Sequence, residues 1–458
     1  MDAKEYMPSL FAGCKSGEAQ DSNAGSEVTF IDLFAGLGGI RLGFSQGFAA
    51  KGIQTRCVFS SEIKSYAIDA YRGFYGDEEI MGDITVIPTS EIPNFDYLLA
   101  GFPCQPFSSA GSRKGFLDTR GTLFFEIERI LKEKMDAGKP AKGFLLENVE
   151  GLVNHEGGAT LKTIISHLED LGYQVNAKVL DSQFFGLAQS RKRIYIAGTL
   201  AQKISLDDFE VTTATLGEIL ENGQPTSQSR LAELLLRSFS VDELKGKSIK
   251  DKRGGDNNIH SWDIGLKGRT TAQERKLLSS ILLQRRKKQW AEEIGIEWMD
   301  GMPLTEEQIR TFFDVPNLSE MLDKLTAQGY LSYEYPKKQT ITANGAKIRT
   351  PDITLPKGYN IVAGKLSFEF SKILDPDELA PTLVATDANK LGVIDGVGIR
   401  RLTIRECQRL CGYPDSYNLS MVSESEAYDL LGNTVCVPVI KKIAERIAEN
   451  EQNCTSSV

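Results

Sequence analysis

The sequence predicts an α/β protein built on a doubly wound sheet, with a smaller domain inserted into it. Two observations predict this. From Thr29 to about Gly198, short apolar runs alternate with stretches of helical spacing, the pattern of strands crossed over by helices. After about Leu200 the alternation stops, and nearly 200 residues of different character follow before helical spacing returns. At 458 residues with 41% hydrophobic content, the chain can bury a large core and should divide into two or three domains.

Taken in order, residues 1–27 are rich in Gly, Ser, Ala and Glu without periodicity and are expected to be disordered. Thr29–Phe34 reads as a strand, followed by a glycine turn and a helix over Ile40–Ala49; Arg56–Ser60 is the next strand and Ser65–Phe74 the next helix. Strands over 96–100, 143–147, 174–180 and 193–198 alternate with helices over 122–135 and 159–171, which completes a first part of the sheet domain at 28–200. Polar, helix-rich sequence then runs to about Lys338 and β-rich sequence to about 398, giving an inserted domain at 201–398. Within it, Leu304–Tyr335 reads as helix, turn, helix and a Tyr-alternating hairpin, which fits either a winged-helix module over 304–338 or an ordinary helical pair bracing the domain. Helices at 403–411 and 435–448 fall in a returning segment at 399–449, and 450–458 is expected to be a flexible tail.

No apolar run is long enough to span a bilayer and the start lacks a signal-peptide pattern, so an intracellular protein is expected. The seven cysteines, at 14, 57, 104, 407, 411, 436 and 454, lack CxxC pairing, and Cys407 and Cys411, one helical turn apart, have no second ligand pair; no metal centre is expected. The three histidines, His155, His167 and His260, fall in no motif, which disfavours histidine acid/base chemistry. The net charge of −9 argues against a nucleic-acid partner, but its distribution does not: Lys245 to Trp290 holds 13 Lys or Arg against 4 Asp or Glu. Such a basic segment on an acidic protein suits phosphate contact through one domain, or a solvated helix face.

The chemistry is expected at LLAGFPCQPFSSAG, Leu98 to Gly111. Gly101, Pro103 and Pro106 end a short apolar strand and force an ordered loop, placing Cys104 where open α/β sheets keep their ligand crevices. A free cysteine is more often a small buried hydrophobe. FAGLGG at 34–39 supplies glycines where a strand turns into a helix, so backbone can approach a ligand. The GxGxxG pattern fails at Arg41, which disfavours a nicotinamide cofactor. Glu62 ends the second strand, where a carboxylate can accept from ribose hydroxyls, and Asp83 is expected to end the third, within reach of an adenine amino group.

FIDLFAGLGGIRLGF at 30–44, GDIT at 82–85, GFPCQPFS at 101–108, FLLENVEGL at 144–152, QSRKRIYIAG at 189–198, RRLTIRECQRLCGYPDSY at 400–417 and LLGNTVCVPV at 430–439 occur in the order and approximate spacing of the cytosine-5 DNA methyltransferases. The chain closely resembles that family, of the bacterial restriction-modification type, over roughly 29–200 and 380–449. The resemblance implies a Rossmann-like S-adenosylmethionine-dependent methyltransferase domain, with the insertion as a target-recognition domain. It implies that Phe34, Ala35, Gly36, Leu37, Gly38, Gly39, Glu62, Ile63, Asp83, Ile84, Phe102, Asn433 and Val435 line the S-adenosylmethionine pocket. Relatives often carry an aromatic residue where Ile63 stands, so this position is expected to touch adenine with less area.

Cys104 is then the nucleophile that adds to C6 of a flipped-out cytosine, because C5 cannot attack a sulfonium methyl unaided. Its pKa must be depressed, with loop amides and Arg193 as plausible sources. Glu147, if its burial keeps it protonated, can donate to cytosine N3; its bland alternative is a helix N-cap partner. Arg191 and Arg193 would hold the base O2 or its phosphate, and Gln105 and Ser108 the neighbouring phosphate or the vacated space. Arg285, Arg286, Lys287 and Lys288 are expected on the phosphate backbone, with Thr382 and Leu383 also at the DNA. The partners implied are double-stranded DNA and a restriction endonuclease, with no membrane, for a monomeric enzyme in the bacterial cytoplasm at the nucleoid. A transfer-RNA methyltransferase of the same family and a DNA-binding regulator with a degenerate core remain as alternatives; the large basic insertion argues against the first and the intact Cys104, Glu147, Arg193 and Asn433 against the second.

Overall fold

The computed structural model describes residues 27–455 except 77–78, 104–122, 253, 256, 298–300, 342–346 and 364–367. The expectations on the N-terminal tail before Glu27, and on Cys104, Gln105 and Ser108, lie outside the described residues.

Six strands form the main sheet: β1 (Val28–Leu33), β2 (Thr55–Ser61), β3 (Tyr97–Gly101), β4 (Gly143–Val149), β5 (Gln174–Asp181) and β6 (Lys192–Thr199), in the order β2-β1-β3-β4-β6-β5. Helices α1 (Gly39–Ala49), α2 (Ser65–Tyr75), α3 (Leu123–Asp136) and α4 (Ala159–Asp170) connect them. β1 to β4 pair in parallel, but β6 runs antiparallel to both β4 and β5. The reason is the connection: ten residues, 182–191, with a single 3-10 turn at Ser182–Phe184, separate β5 from β6, and a parallel return needs a crossover of a dozen residues or more.

The central strands β1, β3, β4 and β6 are buried on both faces, and alternation divides their side chains. Val28 and Phe30 of β1, Leu99 of β3 and Leu145 of β4 face the core packed with α1. Ile31 and Leu33, Leu98 and Ala100, and Phe144 and Leu146 face the core packed with α3 and α4.

The insertion contains helices α5 (Arg230–Ser238), α6 (Val241–Leu244), α7 (Ala272–Gln284), α8 (Gln289–Glu293), α9 (Glu306–Arg310) and α10 (Leu318–Ala327). Its strands are β7 (Ser248–Ile249), β8 (Asn258–Ile259), β9 (Leu331–Glu334), β10 (Lys337–Ile341), β11 (Lys347–Pro351), β12 (Gly358–Ile361), β13 (Lys372–Ile373), β14 (Leu391–Asp395) and β15 (Gly398–Arg401). The strand after the two helices does not close a hairpin by residue 338. β9 pairs antiparallel with β12 and β10 with β11, so the hairpin runs on to Ile361 with Pro336 interrupting one arm.

The returning segment supplies α11 (Ile404–Cys411), α12 (Glu424–Asn433) and α13 (Val437–Thr455). The tail expected from residue 450 is instead the last turns of α13: Asn450 is buried, and Glu451 accepts from Tyr97 and Lys142. α13 lies tight against α1 because Gly43 and Gly47 have no side chains. A Cβ on Gly43 would stand 2.6 Å from the Cβ of Ile440, and one on Gly47 2.5 Å from that of Ala444. Cys407 and Cys411 are buried free thiols in α11, where burial pushes Cys411 up to about 12.

Candidate active site

The carboxyl ends of β1 to β4 open into one cavity of about 580 Å³. Phe34 to Leu37 and Gly39, Glu62 to Lys64, Gly82 to Ile84, Gly101 to Pro103, Glu147 to Val149, Arg191, Arg193 and Gly432 to Val435 all line it. All the expected cofactor residues but Gly38 are therefore on one surface, and Gly38 stands just behind it as the residue preceding α1.

The glycine loop is a held shape. Gly36 and Gly38 take φ of 53° and 66°, conformations that favour glycine, and Phe34, without that freedom, is nonetheless at 56°. The Gly36 N–H donates to Glu62 Oε2 at 2.8 Å, while Oε1 of the same carboxylate accepts from the N–H groups of Ile63 and Lys64. Two tyrosine hydroxyls donate to loop carbonyls: Tyr75 to Gly38 O at 2.7 Å and Tyr417 to Leu37 O at 2.6 Å. Sequence reasoning missed both, although Tyr417 closes the RRLTIRECQRLCGYPDSY motif.

Asp83 corrects an expectation. There is no third strand before it; Met81 makes a single bridge to Ser61, and Asp83 then caps a 3-10 turn at Ile84–Val86 by accepting from the Thr85 N–H. It reaches the cavity from a turn. Ile63 is 73% exposed at the mouth, and Asn433 donates to Asp429.

Glu147 is buried near the end of β4, where β6 delivers Arg193 with its Nε 3.1 Å from Oε1. Burial raises the carboxyl above its ordinary pKa against the opposing pull of Arg193 and Arg191. Burial likewise lowers Arg193. Glu147 caps no helix; the following 3-10 turn starts from Val149. Its neighbour Asn148 donates to the Phe102 carbonyl at 3.0 Å, anchoring the chain two residues before Cys104.

Arg191 departs from its expected role. Its guanidinium donates to the carbonyls of Leu383 and Thr434, each at 2.6 Å, and of Gly432 at 3.3 Å. Those bonds occupy both terminal nitrogens, and Nε has no hydrogen-bond partner among the described residues. Arg191 thus ties the insertion to the far wall of the cavity, and a base or phosphate would have to compete with backbone.

Leu383 is fully buried, its N–H donating to Gln189, so it is a core residue and not a DNA contact. Thr382 donates to the Ser190 carbonyl and, with Lys192 and Arg193, lines a shallow depression beside the cavity. In the basic run, Arg285 is 5% exposed and donates to Asn360 Oδ1 at 2.7 Å and to the Ile361 carbonyl, so it too serves the fold. Lys287 and Lys288 are exposed and Arg286 half-buried, and the run is the bend between α7 and α8, not a helix.

A family model described as C-5 cytosine-specific DNA methylase matches residues 28–449. The chain is 54% identical over 429 residues to Type II methyltransferase M.NlaIV of Neisseria lactamica, covering 92% of this chain and 99% of that protein. It is 42% identical over 454 residues to Type II methyltransferase M.BanI of Aneurinibacillus aneurinilyticus, covering 93% and 97%. Among solved structures it is similar in fold to the Entamoeba histolytica methyltransferase EhMeth, with a TM-score of 0.52 at 16% identity, covering 93% of this chain and 99% of that one.

Proposed function

Since the chain belongs to the C-5 cytosine-specific DNA methylase family and is accordingly an S-adenosylmethionine-dependent DNA cytosine-5 methyltransferase, we propose that it acts on a flipped-out cytosine within a defined duplex sequence through a covalent intermediate on Cys104. The observation that carries this reading is the Glu147–Arg193 pair, buried in the same cavity as the glycine loop and reached by the chain that leads to Cys104.

The residues present fit the cofactor. A Cβ on Gly82 would meet no protein atom within 4 Å, and one on Gly36 only a carbonyl at 4.0 Å, so both glycines leave open space where a ligand can approach backbone. Glu62 offers the remaining lone pairs of its anchored carboxylate to ribose hydroxyls, and Asp83 is the acceptor for the adenine amino group. Bound there, the cofactor supplies an electrophilic sulfonium methyl.

The cytosine must leave the stack, at about a few kcal/mol. The Cys104 thiolate then adds to C6, and the electron pair displaced toward C5 would take the methyl group as its bond to the cofactor's sulfur breaks, that bond's pair staying on the departing thioether. Loss of the C5 proton restores the ring and breaks the C6–S bond, returning the thiolate. Glu147 holds a proton for N3, drawing electron density from the ring, and Arg193 fixes that carboxyl.

The Type II designation of the relatives supports pairing with a restriction endonuclease whose site this enzyme protects, within the bacterial cytoplasm. No helix among the described residues is long and apolar enough to cross a membrane. The reading is tested with DNA carrying 5-fluorocytosine, because fluorine cannot leave as a proton does. A denaturation-resistant complex is expected with the wild type and none with Cys104→Ser. Methylation of ordinary DNA without any trapped complex would refute covalent catalysis.

A further inference from the structure

Residues 272–361 fold around their own apolar core, in which Leu278, Ile309, Leu322, Leu331 and Ile361 pack together. The order within it is α7, α8, a bridge from Leu304 to Tyr359, then α9, α10, β9 and β12, with β10 and β11 extending the hairpin outward. We infer that this unit is a winged helix that engages duplex DNA through its β10–β11 arm and not through its second helix, α10. The inference rests on the proposed function, in which duplex DNA is the substrate.

Charge decides between the two surfaces. From Thr305 to Gln328 there are five acidic residues against two basic ones. Both basic residues are spent within the unit, Arg310 on Glu306 and Asp314, and Lys324 on Glu274. The exposed side of the helix pair presents Glu307, Glu320 and Asp323. Laid in a major groove, these carboxylates would lie within a Debye length of two rows of phosphates.

The arm has the opposite sign: from Pro336 to Pro351 there are four Lys or Arg and no acidic residue. Pairing of Gln339 with Arg349 puts Lys337, Gln339 and Arg349 on one face of the ribbon. Lys357, near the base of the arm, adds its ammonium 4.9 Å from the Tyr335 ring. None of the arm's described side chains joins an apolar core, so the ribbon's two strands, each about 15 Å long, have no packing role to explain their composition. Lys337 stands at 4.0 Å from Glu334, an exposed pair that a phosphate can replace, whereas the half-exposed Lys338 meets the buried carboxylate of Asp352 at 3.3 Å.

The test combines Lys337→Gln, Lys338→Gln and Arg349→Gln and measures binding to duplex DNA against salt, without cofactor. The slope of log K should flatten by about 0.9 for each phosphate that is no longer neutralised, so by about 2 in all, since Lys338 lies on the opposite face of the ribbon from Lys337 and Arg349. The footprint should shorten at one end of the site, while the recognised sequence and the methylation rate at saturating DNA stay unchanged. Glu320→Gln with Asp323→Asn should leave affinity equal or higher. An unchanged slope and footprint, or loss of binding in the helix variant, would overturn the proposal. Should the triple variant unfold, Arg349→Gln alone must still flatten the slope by about 0.9. Failure of the catalytic reading is a separate result: no methylation and no trapped complex with the wild-type enzyme.

Discussion

Arg191→Lys is the substitution that best separates structure from chemistry. The guanidinium joins three carbonyls from two segments, Leu383 on one side and Gly432 and Thr434 on the other. An ammonium on a flexible stem can satisfy one of them well, which removes two charge-assisted bonds at about 1.5–3 kcal/mol each, or about 3–6 kcal/mol in total. At about 2.1 cal/mol/K per residue, unfolding 458 residues as one unit carries roughly 1 kcal/mol/K, so Tm should fall by about 3–6 °C in a calorimetric scan. Thr434 and Val435 form the cavity wall, so KM for S-adenosylmethionine should rise, about tenfold if some 1.4 kcal/mol of the loss reaches that wall. The turnover at saturating cofactor and DNA should change far less. Unchanged Tm and KM together with a collapsed turnover would refute this account and return Arg191 to the substrate.

Glu147→Gln should slow methyl transfer by about two to four orders of magnitude, with a smaller effect on DNA affinity; equal losses in rate and affinity would make Glu147 a binding residue. Because burial raises this carboxyl, the wild-type rate should fall as pH climbs through its folded pKa, and the Gln variant should lack that limb. The folded chain also holds a proton that the unfolded chain has released between the free and the raised pKa, so stability falls with rising pH across that window, and Glu147→Gln removes the slope. In the basic run, Lys287→Gln with Lys288→Gln should flatten the salt dependence of DNA binding by about 0.9 per phosphate released and leave Tm alone. Arg285→Gln should do the reverse, lowering Tm while the slope holds, because its partners are Asn360 and Ile361.

Most of the sheet could be read from the chain because its central strands are buried on both faces and stand out as continuous apolar runs between helical spacings. The antiparallel β6 was legible only in the shortness of its connection, and Asp83 was misplaced because GDIT looks like the end of a strand that the structure reduces to one bridge. The gathering of the glycine loop, Glu62 and Glu147 followed from their positions just after or near the ends of strands. Arg191, Arg285 and Leu383 could not be resolved in the same way. Whether an arginine meets solvent or a set of carbonyls depends on where distant segments place their backbone, and neighbouring positive charges in a sequence carry no information about that. Tyr75 and Tyr417 escaped notice for a related reason, since one arrives from α2 and the other from near the far end of the chain to grip the same loop.

The glycine contact between α1 and α13 bears on how the enzyme is made. The sheet is complete at Thr199, yet the helix that seals one of its faces starts at Val437, and the last wall of the cavity comes just before it. At about 5–20 residues per second, the roughly 240 intervening residues take about 10–50 s to synthesise. Throughout that interval the apolar side of α1, with Ile40, Phe44 and the two bare glycines, lacks its cover. A chain still on the ribosome therefore has no finished cofactor cavity, and the returning segment that covers α1 is also the one that completes the cavity's wall.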